Sequence, residues 1–151
     1  MTDVEIKLLE LHDIARNNRI RVLYDRLSDE DSFITEFNNN AYIYLDTRLT
    51  GINELERFTH ETGHAFCGIS NENDPEWLQT MYEKRAWNWA ATHLVTYRRY
   101  SEVMRDPFVD NDIEAAAKLN VSIKILHKAR DYYYRIVSHI KSESGVLNES
   151  L

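Results

Sequence analysis

Two histidines stand four residues apart in His60-Glu61-Thr62-Gly63-His64, a His-Glu-x-x-His spacing. On a helix, residues i and i+4 share one face about one turn apart, so both imidazoles can reach a single ion. Neutral imidazole is a good ligand for zinc, and catalytic zinc typically takes three protein ligands, so a third must come from elsewhere in the chain. Glu61 follows the first histidine and projects beside the ion, where it can accept a proton from an activated water and return it to a leaving amine. Zinc lowers the pKa of such a water to roughly 7, which suits a carboxylate base at neutral pH. Phe58, Ala65 and Phe66 mark the segment as partly buried rather than solvent-facing. Buried imidazoles need partners.

For the third ligand the following helical segment offers Glu76 and Glu83. Ala86, Trp87 and Ala90 lie three, four and seven residues beyond Glu83, so Glu83 borders a small-residue and aromatic face. A glutamate at such an edge needs a positive partner, and a metal is one. The plain alternative is a solvated Glu83 paired with Lys84 or Arg85. A His-His-Glu set takes zinc but also tolerates manganese or iron. Gly63 costs its helix roughly 1 kcal/mol relative to Ala, which implies close approach of either a substrate strand or a neighbouring helix.

Other candidates are weaker. Cys67, the only cysteine, lies three residues past His64 and reads as a small buried hydrophobe rather than an added ligand. His93 and Tyr97 are candidates to orient a substrate carbonyl or an oxyanion, with ordinary packing the plainer role. Trp77, Trp87 and Trp89 read as core and interface aromatics. Tyr132-Tyr133-Tyr134 surrounds one helical turn, so at least one ring must face solvent.

These residues need elements to position them. Ile6, Leu8, Leu9, Leu11 and Ile14 fall at mainly helical intervals between Val4 and Asn17. Three short β-branched and aromatic runs follow at residues 20–24, 32–37 and 41–45, separated by Ser28-Asp29-Glu30-Asp31 and Asn38-Asn39-Asn40. From Asn53 the vocabulary turns helical: one helix to Cys67 with Gly68 as its cap, a loop at 70–75, and an unbroken helix from Glu76 to about Val103. Asn111 to about Lys141 predicts one or two helices with a turn at Asn120-Val121-Ser122, and Glu143–Leu151 is expected to fray. The fold class expected is α+β, mostly helical, with a small antiparallel sheet of about three strands.

The composition is that of an ordinary soluble domain, with 43% hydrophobic and 28% charged residues, so disorder is excluded. No apolar run approaches the ~18 residues of a membrane span, and the acidic N-terminus does not resemble a secretory signal. With a single cysteine, no internal disulfide forms, and a reducing, cytoplasmic location is expected. The net charge of −7 disfavours direct nucleic-acid binding and suits a basic protein partner.

The order of elements, His60-Glu61-Thr62-Gly63-His64 and then Glu83-Lys84-Arg85-Ala86-Trp87-Asn88-Trp89-Ala90-Ala91 resembles the ImmA/IrrE family of metallopeptidases over roughly residues 1–105. The resemblance implies a zincin-like metallopeptidase domain at 1–105, with residues 106–151 a helical extension packed on it. It implies a zinc (Zn2+) site of His60, His64 and Glu83, with Glu61 as catalytic general base. Members occur in phages, integrative elements and bacterial chromosomes and cleave helix-turn-helix repressors, which makes such a repressor the expected partner. An alternative is a non-catalytic antirepressor or toxin-antitoxin partner that keeps the zinc fold and acts by contact. Two positions depart from the family pattern: Thr92-His93-Leu94-Val95-Thr96-Tyr97 replaces a Leu-Leu-Met-Pro-like run, and Arg85 stands where an acidic residue is frequent. Residues 112–134 have the cadence of a helix-turn-helix, with Lys124, Lys128, Arg130 and Arg135 on its second helix; on an acidic chain, structure or substrate docking is the favoured role over DNA binding.

Overall fold

The computed structural model describes residues 1–149, with side chains described through residue 144. In chain order the elements are α1 (Asp3–Asn17), β1 (Ile20–Asp25), β2 (Ser32–Phe37), β3 (Asn40–Asp46), α2 (Gly51–Cys67), α3 (Glu76–Leu94), α4 (Tyr97–Met104), α5 (Asp112–Leu119) and α6 (Ile123–Glu149). The fold is α+β and mostly helical. No helix among the described residues is long and apolar enough to cross a membrane.

Thr2 starts α1 through a capping box: its hydroxyl accepts from Glu5 N, and the Glu5 carboxylate accepts from Thr2 N. The helix buries Leu11 and Ala15. Asn38 and Asn39, both at positive φ (50° and 63°), make the tight turn that joins β2 to β3 as an antiparallel hairpin. The sheet order is β1-β3-β2, and β1 pairs with β3 in parallel. The sheet is therefore mixed, not antiparallel throughout as its short strands suggested. Burial explains the difference. Ile43 and Leu45 of β3 are fully buried while β1 and β2 are largely exposed, so the most apolar strand takes the centre.

The end of β3 is pinned by Asp46, which is almost wholly buried. Its carboxylate accepts from Leu27 N (3.0 Å), Arg48 N (2.8 Å) and the Arg48 guanidinium, so the segment after β1 and the segment after β3 meet on one charge. Chiefly through the Arg48 side chain, the Asp46 carboxyl is held well below the ordinary carboxylate range. A carboxyl with a lowered folded pKa stabilises the protein above its unfolded value of about 3.9, and that contribution is lost as the pH falls through the folded pKa. Urea midpoints of the metal-free protein are therefore expected to decline below about pH 4, less steeply in Asp46→Asn. Equal pH slopes for the two proteins would refute this role for Asp46.

The helix expected to run unbroken from Glu76 to Val103 is divided in two. Val95 is extended (φ −124°, ψ 93°), and Thr96 turns its hydroxyl onto Arg99 N to cap α4. Two adjacent β-branched residues hold helical geometry weakly, and a threonine that caps competes with the continuing helix. Further on, Asn120 adopts left-handed geometry (φ 54°, ψ 42°) and ends α5, placing the turn where Asn120-Val121-Ser122 predicts it. Of the tail expected to fray from Glu143, α6 runs on to Glu149, while residues 150 and 151 lie outside the described residues. Ala115, Leu119, Ile125, Leu126 and Ala129 share one buried cluster with Leu11, Phe58 and Leu94.

Candidate metal centre

Helix α2 lies at the middle of the molecule, packed against α3 and touching α1, β2 and β3. Everything from Phe58 to His64 is buried. The polar residues of that run are satisfied locally where they can be: Thr59 and Thr62 donate their hydroxyls back to the carbonyls of Leu55 and Phe58. His60, Glu61 and His64 are left to find partners outside their own helix.

Gly63 is what allows α3 to come close enough. A Cβ at this position would sit 2.6 Å from the Ala86 carbonyl oxygen and 3.1 Å from Ala86 Cα. Of the two explanations open for this glycine, a neighbouring helix is the one the structure shows. Glu83 lies three residues before Ala86, on the same face of α3, and reaches both histidines.

His60 Nε2 is 3.0 Å from Glu83 Oε1, and His64 Nε2 is 2.9 Å from Glu83 Oε2. The three ligand atoms lie within 4.8 Å of one another, a grouping able to hold one metal ion. Among the described residues Glu83 forms no ion pair with Lys84 or Arg85. His60 is only 5% exposed, yet neither of its ring nitrogens has an aligned hydrogen bond. Its Nε2 faces the Glu83 carboxylate without an aligned hydrogen bond, an arrangement that a cation between the two groups would satisfy. The donor set of two nitrogens and a carboxylate fits zinc.

Surrounding contacts orient the three candidate ligands. His64 Nδ1 lies 3.1 Å from the Gly68 carbonyl, which can only accept, so the proton sits on Nδ1 and Nε2 faces the site. Gly68 itself is at φ 133°, and any side chain there would strike the Tyr82 ring. Trp87 Nε1 donates to Glu83 Oε1 (3.0 Å), and the Trp87 ring stacks on His60 with centroids 3.9 Å apart. The two imidazoles hold the Glu83 carboxyl well below the ordinary carboxylate range. Burial works against charge on His60, but Glu61 and Glu83 outweigh it and its pKa lies above the usual imidazole value.

Glu61 lies against the other ring nitrogen of His60. Its Oε1 accepts a 2.9 Å hydrogen bond from the buried Ser32 hydroxyl at the start of β2 and lies 3.6 Å from His60 Nδ1. Ser32, Phe33 and Ile34 line an open cleft of about 530 Å³ together with His60, Glu61, His64 and Glu83. As β2 is one of the two outer strands of the sheet, one of its edges is unpaired within the described sheet. Asp29, Glu30 and Asp31 give the cleft an acidic rim.

The remaining candidates lie elsewhere. Glu76 and Cys67 are not in the metal-ligand group. His93 stacks on Trp89 and lines a separate cleft beside Lys7 and Glu10, and Tyr97 packs on Tyr133. Of the three consecutive tyrosines, Tyr133 is tied to the Val95 carbonyl and Tyr134 is the most exposed. Ser32 and the Gly68 carbonyl were not found from the sequence. Ser32 meets Glu61 across 29 positions with no local pattern to announce it, whereas Trp87, four residues past Glu83, carried a readable i+4 relation.

Two histidines one helical turn apart, a carboxylate from the next helix and a second carboxylate beside an open cleft describe a site of the metallopeptidase kind. The family model of the M78 peptidases, the IrrE N-terminal-like domain, matches residues 15–129, and the chain belongs to that family. The match continues past residue 105 through α5 into the first turns of α6. Comparison with curated proteins gives no match.

Proposed function

We propose that this protein is a cytoplasmic zinc-dependent endopeptidase that cleaves a helix-turn-helix repressor and so relieves repression of a phage, mobile element or stress regulon. The observation that carries the metal reading is the convergence of buried His60 and His64 on Glu83, with one ligand atom from each within 4.8 Å of the others. His60, His64 and Glu83 would hold the ion. When bound, zinc supplies Lewis acidity to a water and to the scissile carbonyl. Glu61 would act as the general base, taking a proton from the attacking water and passing it to the leaving amine. Ser32 fixes one Glu61 oxygen, which leaves the other free for this transfer. The unpaired edge of β2 offers backbone groups to an extended peptide, aligning it along the cleft.

The repressor assignment rests on family membership and on charge. A net charge of −7 and an acidic cleft rim favour a partner with a basic face, as DNA-binding proteins have. Two cations of the helix-turn-helix-like segment make contacts inside the molecule, which favours a structural or docking role for it over DNA binding. Lys124 lies over the Trp87 ring, and Arg130 is paired with Asp112. These cations are engaged within the molecule.

Elemental analysis of the purified protein beside His64→Ala tests the metal reading. Near-stoichiometric zinc is expected in the parent, with at least about 10²-fold weaker binding in the variant, which loses a direct ligand. No zinc in either protein after zinc is supplied would sink the metal reading. Co-expression with repressors encoded beside the gene tests the substrate class, and intact repressors alongside zinc-loaded parent protein would reject it.

A further inference from the structure

Two of the three proposed ligands lean on one residue. Trp87 is 7% exposed and touches His60 with its face, at a centroid separation of 3.9 Å and an interplanar angle of 11°. It touches Glu83 with its edge, donating Nε1–H to Oε1 at 3.0 Å. Lys124 of α6 places its ammonium 3.5 Å from the same ring centroid. An ammonium and an imidazole at those distances cannot occupy one face, so His60 and Lys124 lie on opposite sides of the indole. The ring is thus closed in on both faces and tethered at its edge.

We propose that Trp87 is a positioning residue of the metal centre, setting the ring plane of His60 and the carboxylate orientation of Glu83 together. The proposal rests on reading His60, His64 and Glu83 as metal ligands. A ligand held in its binding orientation before the ion arrives does not have to be ordered by it, and partners of this kind commonly change metal affinity about ten- to a hundredfold. Trp87 differs from an ordinary core aromatic because its two contacts fall on ligands that come from different helices. It therefore registers α3 against α2 at the ion.

Zinc affinity measured by competition with a chromogenic chelator, with thermal melting of the metal-free forms alongside, tests the proposal. Trp87→Phe keeps a ring for His60 but removes the donor to Glu83, and zinc binding about tenfold weaker is expected. Trp87→Leu removes both contacts, and a loss of about a hundredfold is expected. Replacement of Trp87 by 3-benzothienylalanine keeps the size and stacking of the indole and deletes only the N–H. This variant should match Trp87→Phe in affinity while melting like the parent, and it decides the matter where a smaller side chain fails to fold. A purely structural tryptophan would lower the melting temperature and leave zinc affinity within about twofold of the parent, which would overturn the proposal. A parent protein that binds no zinc would instead overturn the ligand assignment, and this inference with it.

Discussion

Glu61→Gln is expected to bind zinc as the parent does and to cleave the repressor proposed as substrate about 10³-fold more slowly, within the range a positioned general base contributes. The two halves of that result have separate causes. The group able to hold a metal, His60, His64 and Glu83, does not include Glu61, so metal binding is expected to persist. The amide is nearly isosteric with the carboxylate and can still take the Ser32 hydrogen bond through its carbonyl oxygen, so the buried surroundings are kept. What disappears is an oxygen that accepts a proton. Cleavage followed by electrophoresis, with zinc measured on the same preparation, reads both halves. Undiminished cleavage by Glu61→Gln would remove Glu61 from the mechanism. Derepression in cells that survives Glu61→Gln with no cleavage product would instead favour the contact-only antirepressor.

Gly63→Ala is expected to destabilise the protein although it replaces glycine in a helix. Helix propensity alone predicts a gain of about 1 kcal/mol. The added methyl, however, would meet the Ala86 carbonyl oxygen at 2.6 Å, and that oxygen belongs to the backbone of α3. A side chain could rotate aside; a helix backbone moves only as a unit. Overpacking of this kind costs about 3 kcal/mol, which outweighs the propensity gain and leaves a net loss of about 2 kcal/mol. For a chain of this size, that corresponds to a melting temperature lower by about 4–8 °C. Relief of the clash moves α3 away from α2, and with it Glu83 away from His60 and His64. Zinc affinity is expected to fall at least about tenfold beyond any change in stability. A stabilised Gly63→Ala with unchanged zinc affinity would show that the helices are not held at this distance.

Local geometry was written in the sequence. A four-residue spacing on a helix puts His60 and His64 on one face whatever surrounds them, because helical periodicity is a property of the backbone. Asn120 ends α5 where Asn120-Val121-Ser122 predicts a turn, since asparagine tolerates left-handed geometry. The mostly helical α+β class followed from periodicity in the same way. Gly63 announced a close approach through its cost to the helix, but not the identity of the neighbour. That depended on α3 packing across it.

Tertiary packing decided the rest. The parallel pairing of β1 with β3 follows from which strand buries best in the assembled molecule, and strand direction leaves no mark in a short β-branched run. The break at Val95-Thr96 turned on a cap competing with helix continuation, a balance of a few tenths to about 1 kcal/mol that propensity does not resolve. Glu83 was distinguishable from Glu76 by its apolar neighbours, yet its two contacts with His60 and His64 exist only because α2 and α3 touch at Gly63. Ser32 on Glu61 and Trp87 between His60 and Lys124 join residues far apart in the chain. Such pairs are chosen by the packing of whole elements, and no spacing along the chain encodes them.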